Sequence, residues 1–142
     1  MRLLAGILLL LCGCGSGPYG PFDQGHDVHV ILLPQPAPKK GIHVSPVCTL
    51  GPEVAKSPPR LLKEGDAPAA EVAIFHAPTG RQRLSIWVPE RAIGARTDLD
   101  VKRELWVVME IRPRDTRGRL KVYDSPPTEK IGRYIELVPV PD

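Results

Sequence analysis

Four histidines, His26, His29, His43 and His76, supply most of the ligand chemistry in this chain. In Gly25-His26-Asp27-Val28-His29 the two imidazoles stand three apart, so an extended backbone sends them to opposite faces. Asp27 and His29 then share a face. With His43 from a neighbouring strand they would offer three ligands of the kind zinc or copper takes at about 2.0 to 2.3 Å. Nothing in the spacing forces that convergence, and solvent-facing or hydrogen-bonded imidazoles account for the pattern without a metal. The sequence therefore calls for no metal and no cofactor.

Other reactive patterns are missing. There is no Gly-x-Ser-x-Gly elbow, His-Glu-x-x-His pair, phosphate-cradling glycine loop or dinucleotide fingerprint. Ser45 and Ser85 fall in strand-like stretches with no base beside them. No catalytic residue is assigned, and the expectation is a protein that is not an enzyme. Trp87 and Trp106 give the sharpest candidate binding site. Each is out of phase with its apolar neighbours, Leu84, Ile86 and Val88 for the first, Leu105 and Val107 for the second. If both strands share a sheet, the two indoles form one patch rimmed by Arg83, Arg103 and Arg112, a composition favoured at interfaces. Burial of both indoles under the loop or the N-terminal segment is the competing reading.

The elements that must position these residues read as strands. No segment after the N-terminal run sustains helical apolar spacing over three turns, whereas period-2 alternation recurs. Strands are expected at Asp27 to Leu33, Ile42 to Leu50, Glu71 to His76, Arg81 to Val88, Ala95 to Val101, Glu104 to Arg112, Arg119 to Asp124 and Arg133 to Val140. Pro46 demotes the second of these to an edge or bulged strand. The stretch Gly51 to Ala70 reads as a long loop with a helical turn near Arg60 to Glu64. Seven or eight short strands joined by turns specify an all-β fold, a single small antiparallel sandwich.

Charge is uneven along the chain. The formal net charge is only +3, yet Gly80 to Lys121 holds eleven Lys or Arg against six Asp or Glu. Such a strip could meet anionic head groups, cell-wall polymers or an acidic partner, and it is also what the solvated face of a strand pair looks like. Nucleic acid is not an expected partner. Cys48 lies on the apolar phase of Ile42, Val44 and Leu50, which predicts a buried free thiol.

The N-terminus carries an address. Arg2 is followed by a short apolar run and then small residues and cysteine, a secretory layout too short to span a bilayer. Leu11-Cys12-Gly13-Cys14 resembles the lipobox of bacterial lipoproteins, with Cys14 in the place of the lipid acceptor. Cys12 fits poorly because Leu11 before it is bulky. The resemblance implies a signal peptide over 1–13 and lipidation of Cys14, with a tether over 14–26 and a sandwich domain over 27–142. It makes the bilayer the first partner, and Gly15 after the cysteine resembles the pattern for outer-membrane delivery facing the periplasm in Gram-negative bacteria. With Cys14 modified and Cys12 removed, Cys48 has no disulfide partner.

A second resemblance lies downstream. Pro78-Thr79-Gly80-Arg81-Gln82-Arg83-Leu84-Ser85-Ile86, then Thr97-Asp98-Leu99-Asp100-Val101, then Leu105-Trp106-Val107-Val108-Met109-Glu110-Ile111 looks like the second half of PEGA-type and transthyretin-like envelope modules. That implies a small binding or spacer sandwich outside the cytoplasm, without catalysis. The functional expectation is an anchored envelope lipoprotein that binds or scaffolds an envelope protein or cell-wall polymer. The alternative is a periplasmic ligand- or metal-binding module using His26, Asp27, His29 and His43.

Overall fold

The structure is a computed structural model, and it describes residues 25–36, 38–65, 69–127 and 135–136. The expected signal segment, Cys12, Cys14 and most of the expected tether lie outside the described residues. So does all but Ile135–Glu136 of the expected last strand.

Eleven strands are described, β1 (His26–Pro34), β2 (Ile42–Val44), β3 (Val47–Leu50), β4 (Glu53–Lys56), β5 (Arg60–Leu62), β6 (Ala69–Ala77), β7 (Gly80–Val88), β8 (Ile93–Val101), β9 (Leu105–Ile111), β10 (Arg119–Tyr123) and β11 (Ile135–Glu136). One 3-10 turn, Pro89–Arg91, links β7 to β8. The strands form a five-stranded sheet in the order β10-β9-β1-β6-β11, a four-stranded sheet β4-β3-β7-β8 and a small pair β2-β5. The chain is all-β and sandwich-like, as the alternation predicts.

The core lies between the two larger sheets. Val28, Val30 and Leu32 of β1, Val107 and Met109 of β9, and Leu84, Ile86 and Val88 of β7 are fully or almost fully buried within it. In β7 every second residue turns inward and the residues between them face outward, whereas β9 is buried along its whole length. Truncating one of these side chains, as in Leu84→Ala, should cost about 2–5 kcal/mol, because the site cannot collapse around the missing atoms. Val44 and Leu62 from the β2-β5 pair are equally buried and belong to the same core.

Pro46 acts as its chemistry requires. With no N–H to donate, it ends one ladder, and the expected Ile42 to Leu50 strand divides. β2 pairs with β5, while β3 pairs with β4 and β7. Beyond Leu50 the expected long loop instead holds a β3–β4 hairpin. It turns at Gly51, whose φ of +57° suits the first position of a tight two-residue turn. The helical turn expected near Arg60 is the strand β5, because its register against β2 supplies ladder bonds that an isolated turn lacks.

Two connections change sheet where a hairpin would be the simpler reading. β6 pairs with β1, and β7 after the Pro78–Thr79 turn pairs with β3 and β8. β8 and β9 likewise lie in different sheets on either side of residues 102–104. That second crossover lays β9 beside β1 in parallel, a pairing that cannot arise from a tight hairpin.

Candidate functional site

The outer face of the five-stranded sheet carries a polar cluster. The parallel register sets His29 opposite Trp106, and their rings stack with centroids 5.0 Å apart and planes 4° apart. His29 uses both ring nitrogens. Nδ1 makes a short hydrogen bond to Glu71, and Nε2 lies 2.7 Å from the Glu104 carboxylate. Two residues along β1 on the same face, His76 Nδ1 lies 2.9 Å from Asp27 Oδ1. Burial of the His29 ring opposes its protonation, but hydrogen bonds and attraction to Glu104 and Glu71 outweigh that, so its pKa is raised.

Glu71 reaches this face through a bulge. β1 and β6 keep one register from His26↔Ala77 to Val30↔Ala73, then Ile31 pairs with Glu71 and Val72 is left over. Simple alternation from Phe75 and Ala73 would point Glu71 into the apolar core. The extra residue reverses its direction, so Val72 and Ala73 both pack inward and Glu71 turns out beside His29. Glu71 is only 5 % exposed, and a carboxylate that buried needs a donor. His29 is that donor. Beyond the cluster the same face continues into a small apolar patch of Ile31, Leu33, Ala69, Trp106 and Val108.

The expected ligand set is therefore half assembled. Asp27 and His29 share a face as expected, and Glu104 joins them, with potential ligand atoms of the three within 4.8 Å of one another. His43 is exposed on β2 in another sheet, opposite Leu61, and does not join them. His26 starts β1 on the opposite phase. Glu71 and Glu104 escaped the sequence reading because a bulge and a parallel pairing bring them in, and His76 stands there without its partner Asp27, which the antiparallel β1–β6 register supplies.

The expected double-tryptophan patch does not form. β7 and β9 lie in different sheets, and the two indoles occupy opposite outer faces of the sandwich. Trp106 is 8 % exposed under the His29 ring, whereas Trp87 is 46 % exposed. The arginines disperse accordingly. Arg83 pairs with Asp98 on β8, Arg103 with Asp124 beyond β10, and Arg112 with Glu110 at the end of β9. Ser45, expected to have no base beside it, gives its backbone N–H and its hydroxyl to Glu90, each at 2.6 Å. That pair fastens the β2–β3 joint to the 3-10 turn, and no imidazole joins it among the described residues.

Trp87 instead lines an open groove of about 710 Å³ where the edges of the two large sheets approach. Ser85, Arg96, Thr97, Thr116 and Arg117 line it as well. Gly94 gives the indole its seat, since a Cβ there would lie 3.0 Å from the Trp87 ring. A bridge between Gly94 and Arg117 joins the two edges, with the Gly118 N–H donating to the Gly94 carbonyl at 3.0 Å. Past it β8 ends its sheet with no further strand partner among the described residues. Arg96 and Arg117 have no carboxylate partner among the described residues, unlike Arg83 and Arg119. Cys48 is wholly buried, and burial pushes its thiol pKa up to about 12. No family model, curated protein or solved structure matches this chain.

Proposed function

We propose that this chain is an exported, membrane-anchored and non-catalytic binding module that holds an extended acidic segment of an envelope protein in the Trp87 groove. The observation that carries the reading is the groove itself. Among the described residues it combines an open strand edge, a half-exposed indole and two guanidinium groups without carboxylate partners. An unpaired edge takes an incoming extended chain through its backbone groups, and alternate side chains of that chain meet whatever lines the groove. Indole and guanidinium are the side chains that most often dominate such contacts. Positive charge at Arg96 and Arg117 selects acidic residues and speeds their capture. The N-terminal lipobox resemblance supports the anchor, with Cys14 as its acceptor. The lipid then holds the module at the envelope, and two or three acyl chains suffice for stable attachment.

Selection from a randomised extended-peptide library against the purified chain tests the binding half. The expected ligands are acidic, alternate polar with apolar residues, and lose affinity as salt is raised. Selection of neutral or basic peptides, or preferential binding of cell-wall glycan, would overturn it.

A further inference from the structure

The His29 cluster is built in more detail than a surface ion pair requires. Its imidazole is held on three sides. Trp106 fixes the ring plane, Glu71 takes Nδ1 from beneath, and the sheet register fixes the position of the backbone. What remains is Nε2, directed at Glu104 with Asp27 beside it. Holding one imidazole nitrogen with a buried carboxylate, so that the other is presented in a fixed tautomer and direction, is how proteins prepare a histidine for a metal ion.

We propose that Asp27, His29 and Glu104 form a binding site for one borderline divalent transition-metal cation of the zinc class, with Glu71 as the positioning carboxylate behind His29. The ion takes the place of the proton shared between Nε2 and Glu104. One nitrogen and two carboxylate oxygens would ligate it, leaving a fourth position for water or a partner's side chain. Metal–ligand bonds of about 2.0 to 2.2 Å place ligand atoms roughly 3 to 4 Å apart. The present separations, all within 4.8 Å, close to that by rotation of two exposed carboxylates with the backbone unmoved. Asp27 can keep Oδ1 on His76 and offer Oδ2 to the ion. The presence of an imidazole favours zinc over magnesium or calcium, which prefer all-oxygen sites.

The test is calorimetric titration of the full chain with zinc chloride. C12S and C14S are present throughout, so that Cys48, wholly buried, is the sole remaining thiol. One equivalent should bind, and X-ray absorption at the zinc edge should show one nitrogen among light-atom ligands. E104Q, on an exposed position that leaves the fold intact, should weaken binding at least tenfold, and H29Q should abolish it. E71Q should weaken it by about 10- to 100-fold, the usual cost of losing an outer partner. Circular dichroism of each variant separates lost binding from lost folding. Absence of a stoichiometric site, equal binding of magnesium, or unaltered zinc binding in both E104Q and H29Q would overturn the proposal.

Discussion

The imidazole of His29 lies flat on the indole of Trp106, 5.0 Å away, while its two nitrogens face Glu71 and Glu104. A cation in that position is stabilised by both carboxylates and by the indole face. The charged form is therefore favoured in the folded state, and the pKa is raised above its value in the unfolded chain. The sign follows. The contribution is complete below about pH 6.5, the unfolded value, and fades as pH rises through the folded one. The urea midpoint should fall as pH rises above about 6.5, and H29Q should flatten that slope. A midpoint that rises over this window would contradict the assignment.

Glu90 titrates with the opposite sense. Hydrogen bonds from the Ser45 hydroxyl and backbone N–H hold its carboxyl below the usual range. Its contribution is present above about pH 4.3 and is lost as pH falls through the lowered folded value. S45A removes one of the two bonds at an exposed site, so it should cost at most about 1 kcal/mol near neutrality. The difference from wild type should shrink on the acid limb of a pH–stability curve.

Cys48 should behave as a core residue. With no exposure and its pKa pushed up to about 12, the thiol should resist a disulfide reagent in the folded C12S/C14S chain and react fully once denatured. C48S places an unpaired hydroxyl in the core and should cost about 1–3 kcal/mol in denaturant titration. C48A should cost less.

Much of this architecture is legible along the chain, and what is not has identifiable causes. The inward sets Leu84, Ile86, Val88 and Leu105, Val107, Met109, Ile111 follow from alternation, because each strand has one face on the core. Pro46 announces the break between β2 and β3 by its missing donor. Glu71 was invisible as a partner of His29, since one surplus residue at Val72 reverses its direction. Glu104 and Trp106 reach His29 only through a parallel pairing of strands far apart in sequence, which no local pattern encodes. The crossovers at 78–79 and 102–104 read locally as hairpin turns, and the second is what puts Trp87 and Trp106 in different sheets.

On the proposed reading Cys14 carries the address. C14S would then remove the acceptor sulfur and with it the acyl chains, each buried methylene of which contributes about 0.8 kcal/mol. The wild-type chain should sediment with membranes and resist salt extraction, and the C14S chain should move to the soluble fraction. A C14S chain that stays membrane-bound would remove the anchor from the account.

The binding role is tested most directly at Trp87. Emission of the folded chain, titrated with an acidic peptide obtained by selection, reports both indoles, so the titration is run in wild type and in W87F. The account predicts a saturable change in wild type that is absent in W87F. It also predicts at least tenfold weaker binding in R96E or R117E, with circular dichroism unchanged. Binding that W87F, R96E and R117E all leave intact would contradict it.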